Sequence, residues 1–300
     1  MNIKRKTILT IFAFIAIYVI WGSTYLLNKI AVTEIPPLFL SSIRFVIAGI
    51  LIFIIAKFLK LPLKLTKKQF LNNTIAGFLF LVYGNGVFVW ALKYVDTGFA
   101  ALEASLLPLV VLLLMRILHG KKIKKMSLIG VGFGIAGIYL LVSQQEIVAN
   151  EGNIIGVLMI LTCIVSWAFA SVFVSTADMN KSYFVNSAYQ MLIAGILLAI
   201  TSLIVGENWS YPTTWSSNVK LSMVLLVVFG SIIAFTAFNF LLKTVSPEKV
   251  ATSSYVNPVI AVVLGWYVLD EQITSQTIVA AVLLLTGVYF INSKRNKSSV

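Results

Sequence analysis

Gly137-Ile138-Tyr139, near the middle of this chain, returns as Gly287-Val288-Tyr289 near its end, 150 residues later. At the same offset Pro108 returns as Pro258 and Lys93 as Lys243. Towards the N-terminus the offset is 146, with Trp21 matched by Trp167 and Ala48-Gly49 by Ala194-Gly195. The 300 residues therefore read as two copies of one pattern, 1–145 and 146–300. Each copy holds five long apolar runs. An odd number of crossings per copy sends the second copy through a bilayer upside down, and inverted repeats of this kind build carriers with two access states. The expected fold is an all-α polytopic membrane protein, with ten transmembrane helices forming two inverted five-helix repeats around a central cavity.

Composition demands a lipid solvent. The chain is 59% hydrophobic and only 11% charged, with mean hydropathy +0.98. A soluble domain carries about 25% charged residues, so this one could not clothe its surface with polar groups. Runs long enough to cross a hydrocarbon core of roughly 30 Å are expected at 7–28, 38–58, 70–92, 97–118, 126–143, 154–175, 183–205, 221–242, 247–269 and 274–292. They lack strand-like alternation and are about twice as long as barrel strands, which makes them helices. The first run follows Lys4-Arg5-Lys6, is too long for a signal peptide and has no small-residue cleavage site after it, so it is expected to stay as a helix.

The net charge of +13 is explained by its distribution. With ten spans, nineteen Lys and Arg fall on the side of the termini and three (Lys29, Lys93, Lys220) on the other, with Arg44 inside a span. That bias is expected to place both termini in the cytoplasm. Anionic lipid headgroups account for the basic pI, and no nucleic-acid partner is needed. The outer loop at 206–220 carries Trp209, Tyr211 and Trp215, either as an aromatic anchor at headgroup level or as a lid.

Polar residues inside the spans carry the functional information, because each is costly unless partnered or wetted. Arg44 and Glu103 each stand six residues inside the outer start of their spans, about 9 Å deep at 1.5 Å per residue. Unpaired, each would cost roughly 2.5–3.5 kcal/mol. Equal depth and opposite charge suggest an ion pair or a shared wet vestibule; in a sharper reading Glu103 titrates and couples export to proton entry. Asn85 is flanked by Gly84 and Gly86, which allow close approach. Ser253 and Asn257 share a helix face, next to Pro258. Pro108 and Pro258 are expected to kink equivalent helices, as in the broken helices around carrier sites. Trp21 and Trp167 lie about two turns deep; with Tyr25, Tyr255 and Asn239 they could line a cavity for amphipathic or cationic solutes, or simply pack.

These residues also resemble the EamA-type branch of the drug/metabolite transporter superfamily, over nearly the whole chain, and within it the YedA-like inner-membrane transporters. The matching stretches are Trp21-Gly22-Ser23-Thr24-Tyr25, Arg44-Phe45 with Ala48-Gly49, Gly84-Asn85-Gly86, Ser166-Trp167-Ala168, Val245-Ser246-Pro247 and Tyr255-Val256-Asn257-Pro258-Val259. The resemblance implies ten helices in two inverted repeats, a central cavity, and export of metabolites, amino acids or toxic compounds without ATP. Where the family often has Gly-Glu after the fourth and ninth spans, this chain has His119-Gly120-Lys121 and Asp270-Glu271. Neither loop is therefore assigned a coupling role.

Other classes fit less well. No catalytic residues, metal site or cofactor are expected: Asp96, Asp178 and Asp270 sit at span ends or loops, His119 borders a basic loop, and one His and one Cys make a zinc or haem site improbable. No GxxxxGK[ST] loop is present for ATP. A flippase or carrier of lipid-linked or nucleotide-linked sugars is the nearer rival, but it needs cations for phosphates and the spans offer only Arg44. The expected partners are a small-molecule substrate and membrane lipids, with the oligomeric state open.

Overall fold

Pro36-Pro37 opens a helix because proline's missing N–H costs nothing in a first turn, and a run of that kind recurs along the chain. A computed structural model describes residues 3–91, 94, 104, 106–143, 151–269 and 273–292. Among them the secondary structure is helical, without strands. The helices are α1 (Ile3–Ala31), α2 (Pro37–Phe58), α3 (Lys67–Ala91), α4 (Leu107–His119), α5 (Lys125–Val142), α6 (Glu151–Thr176), α7 (Tyr183–Ile204), α8 (Ser217–Thr244), α9 (Ser253–Leu269, after a single turn at Pro247–Val250) and α10 (Ser275–Asn292). Seven of them, α1, α2, α3, α6, α7, α8 and α10, are long and apolar enough to cross a membrane. Large apolar side chains such as Phe12, Ile204 and Tyr289 stand outward, as a lipid solvent requires.

Local chemistry sets the ends. Thr66 and Gln69 form a reciprocal capping box before α3. Gly120, at φ 62°, closes α4 in the left-handed conformation that glycine adopts without penalty. Ser182 and Ser216 cap α7 and α8 through their side-chain oxygens.

Two helix pairs hold the bundle at backbone distance. A Cβ on Gly49 of α2 would lie 2.9 Å from the Leu192 nitrogen of α7, and one on Gly195 would lie 2.8 Å from the Val46 nitrogen. In the same way Gly130 of α5 and Gly287 of α10 each face the other's carbonyl oxygen, 2.7 Å from where a Cβ would stand. Small residues permit this closeness, and dispersion contacts then hold helices together in lipid. The helices α1 and α6 run between these pairs, α1 against α8 and α9, α6 against α3 and α4.

One feature was not foreseen. The middles of α3 and α8 are wound as π-helix, over Phe78–Val87 and Leu226–Phe235. They lie 148 residues apart, between the two offsets of the sequence repeat. The wider winding is rare and is often found at functional sites.

Pro258 lies inside α9, where it cannot donate to the Ser254 carbonyl four residues earlier. Pro108 occupies the first turn of α4, a position that needs no N–H; most of the run before it, where a kink would lie, is outside the described residues. The loop tryptophans are not surface anchors alone: Trp215 is buried, and Trp209 stacks on Phe39 at 4.4 Å.

Candidate functional site

Helical spacing aligns Trp21, Tyr25 and Asn28 on one face of α1, and that face borders a cavity of about 180 Å³. Both halves of the chain supply its walls: Arg44 and Phe45 of α2, Asn85 and Phe88 of α3, Trp167 of α6, Ser231 of α8, Asn257 of α9. The π-wound segments contribute Gly84 and Asn85 on one side, Gly230 and Ser231 on the other.

Arg44 dominates the polar end. It is 5% exposed. Its Nη1 donates to Asn28 Oδ1 at 3.2 Å and its Nη2 to Asn85 Oδ1 at 2.9 Å. Asn28 is held in register because its own amide nitrogen donates back to the Thr24 carbonyl at 2.8 Å. The guanidinium carbon sits 4.4 Å from the centre of the Phe45 ring, a cation–π contact that covers one face. The Nε–H has no partner among the described residues. No Asp or Glu lines the cavity among those residues. Glu103, the expected partner of Arg44, lies outside the described residues, next in sequence to Ala104 of the cavity wall.

Aromatic rings form the opposite wall. Trp21 and Trp167 meet edge to face at 5.9 Å, and behind them stand Phe80, Phe235 and Phe238, all buried. Trp21 Nε1 donates to the Gly230 carbonyl at 3.2 Å, tying α1 to the π segment of α8. A Cβ on Gly84 would stand 3.0 Å from the Trp167 ring, so glycine there lets the indole lie against the backbone of α3. Asn257, with its amide nitrogen turned to the three carbonyls around it, donates to Ser253 (3.0 Å), Ile17 (3.2 Å) and Tyr18 (3.1 Å). Beside it, the Tyr18 hydroxyl and Thr252 Oγ1 are 2.8 Å apart.

Two expected cavity residues lie elsewhere. Asn239 is buried in a sealed amide cluster, donating to Ser187 Oγ and to Gln190 Oε1, each at 3.0 Å. Gln190 Nε2 donates in turn to Asn73 Oδ1 at 3.0 Å, and Asn73 to Asn186. Tyr255 is fully buried beside Leu112, Val131 and Leu284, against the backbone of Gly134, with its hydroxyl unpartnered among the described residues. Asn28, Phe88 and Ser231 are cavity residues that the sequence reading missed; for Asn28 its spacing from Trp21 and Tyr25 was the available signal. Among the described residues no group of three or more His, Cys, Asp or Glu could hold a metal ion.

Outside the cavity lining, two carboxylates accept hydrogen bonds at helix starts. Glu207 accepts from the Leu38 and Phe39 N–H groups at the start of α2, and Ser202 Oγ donates to it at 2.6 Å. Glu34 accepts from the Ser216 N–H at 2.8 Å, at the start of α8, and those Ser216 contacts hold its carboxyl below the usual carboxylate range.

Comparison with known proteins gives one consistent picture. The pattern of the EamA-like transporter family matches residues 8–143 and residues 154–293. The inner membrane transporter YedA of Escherichia coli K12, itself uncharacterized, is 37% identical over 94% of this chain and 92% of its own length. The uncharacterized transporter YoaV of Bacillus subtilis is 22% identical over 92% and 94%. The protein named "Probable amino-acid metabolite efflux pump" in Escherichia coli K12 is 24% identical over 91% of each chain. One solved crystal structure superposes with a TM-score of 0.79, covering 97% of each chain at 20% identity, a likeness of fold alone.

Proposed function

The chain belongs to the EamA-like transporter family, and from that premise we propose that this multi-pass membrane transporter is a secondary-active exporter of small organic metabolites or drugs. It works by alternating access in a bacterial cytoplasmic membrane, with both termini inside. The observation that carries the reading is the cavity, with Arg44 as its charged group and Trp21 and Trp167 among its rings, built jointly from both halves. Its volume is below the range of about 300–1,000 Å³ that suits drug-sized ligands, which favours compact metabolites and counts against the rival cargo of lipid-linked or nucleotide-linked sugars.

Ten spans in two inverted five-helix repeats are part of the proposal. Support comes from the two separate family matches, from the paired π segments and from packing that exchanges under the repeat, with Gly49 on α7 and Gly195 on α2. Rocking one repeat against the other would expose the cavity to each side in turn, with the interior Pro258 of α9 as a weak point in the helix. Glu103 is proposed as the coupling carboxylate. Glu103→Gln is then expected to abolish pH-driven transport while substrate still binds; unchanged pH dependence would end that role.

The test of function is untargeted metabolite profiling of cells overexpressing the protein, against a matched Trp21→Ala/Asn85→Ala control. A compound enriched in the medium and depleted from the cytoplasm only with the unmodified chain names the substrate. No such compound under several nutrient loads would remove export from the reading.

A further inference from the structure

We propose that the cargo carries a carboxylate, and that Arg44 is the residue that binds it. The inference rests on the transporter reading and adds the chemical class of what is carried.

Arg44 lies in the membrane-spanning part of α2 and is almost wholly buried, yet its described partners are neutral. Both hydrogen bonds go to carboxamide oxygens, which orient a guanidinium but leave its charge uncompensated. A third donor, Nε–H, is unpartnered among the described residues, and the residue borders the cavity. A buried cation held in position with an unused donor is an anion site awaiting its anion. The fixed fork of guanidinium donors matches the two oxygens of a carboxylate. Asn28 and Asn85 act as positioning residues: each takes one hydrogen bond from an Nη atom, and together they hold the guanidinium at the cavity wall. Phe45 covers one face, which restricts approach to the plane of the fork.

The rest of the cavity defines the remainder of the solute. Its walls also carry the rings of Tyr25, Phe88, Trp21 and Trp167, with neutral polar groups such as Ser231 and Asn257 among them. A small apolar or aromatic body behind a single carboxylate fits this arrangement. A phosphate dianion would bring a second charge that no other described cation in the cavity could meet.

The experiment is isothermal titration of the purified full chain in lipid nanodiscs with benzoate, benzamide and phenylphosphonate, which share one ring and differ in the head. Benzoate is expected to bind, and the other two to bind at least about tenfold more weakly. Arg44→Gln should weaken benzoate roughly 10- to 150-fold, the range for losing hydrogen bonds to a charged group, and leave benzamide unaffected. Arg44→Lys, which keeps the charge but not the fork, should recover only part of that loss. Gln190→Leu, a change in the sealed cluster, should keep the preference and so controls for general loss of stability. Equal affinity for benzoate and benzamide, or benzoate binding indifferent to Arg44→Gln, overturns the proposal. So does a preference for phenylphosphonate. Benzoate binding that appears only after Glu103→Gln overturns it too, because the chain itself would then neutralise Arg44. Benzoate binding with no flux of any carboxylate in proteoliposomes would support the site and break the transporter reading instead.

Discussion

Positions 44 and 190 are 146 residues apart, each seven residues into its helix, on two helices that pack backbone to backbone. They behave in opposite ways. Gln190 is completely enclosed, with both ends of its amide used by Asn73 and Asn239. Arg44, which borders the cavity, spends two donors on Asn28 and Asn85 and has a buried third without a partner among the described residues. A polar side chain at membrane depth is thus no site in itself. What distinguishes the two is whether every donor and acceptor is answered from within the protein, since a satisfied network makes a rigid bolt and an unsatisfied one calls for a ligand.

The harshest way to break the comparison is to separate the helices that carry it. Gly49→Leu or Gly195→Leu would force a side chain into opposing backbone at under 3 Å. A loss of ~3 kcal/mol or more is expected, read as failure of folded protein to accumulate in the membrane. Normal yield with normal transport would show that the close α2–α7 contact is dispensable.

Next comes the open side. Trp21→Ala combined with Asn85→Ala removes an aromatic wall and one of the two amides that hold Arg44. Efflux is expected to fall at least tenfold at normal expression, and wild-type efflux from that double variant would refute the cavity assignment.

The sealed side should respond in stability instead. Gln190→Leu strands the amides of Asn73 and Asn239, at roughly 1–3 kcal/mol for each unanswered group. The expected result is a lower thermal midpoint with transport per folded molecule retained. Lost transport at an unchanged midpoint would mean that the cluster is part of the moving site.

The smallest effect concerns Glu34, outside the cavity lining. Ser216 holds the Glu34 carboxyl below its usual range, so the folded state favours the ionised form. That contribution is present above the unfolded value of roughly pH 4.3 and is lost as pH falls through the lower folded value. The wild type should therefore exceed Glu34→Gln slightly in thermal midpoint at neutral pH and converge with it in acid. A gap that widens in acid would contradict the contact.

Much of this was legible beforehand, and for identifiable reasons. Apolar runs such as 38–58 and 183–205 need no partner to be read, because lipid forces backbone hydrogen bonds into helices; α2 and α7 begin and end within a residue of those limits. Trp21, Asn85, Trp167 and Asn257 do reach the cavity. Asn239 and Tyr255 do not, and the sequence held no sign of it: a buried amide and a cavity amide have the same local pattern, and only the neighbouring helix decides which it becomes. Pro258 lies inside a helix while its repeat equivalent, Pro108, stands in the first turn of one, a difference that their matching sequence positions do not record.

By itself the sequence determined the solvent, the repeated pattern and the place of Arg44 within an apolar run, since each follows from the order and spacing of residues along one chain. The π winding of α3 and α8, the closure of the amide cluster on Gln190 and the unpartnered edge of Arg44 were decided only in the tertiary structure. The amide cluster and the partners of Arg44 depend on contacts between segments from 41 to 117 residues apart along the chain, and no local pattern records which polar groups packing will pair and which it will leave unanswered.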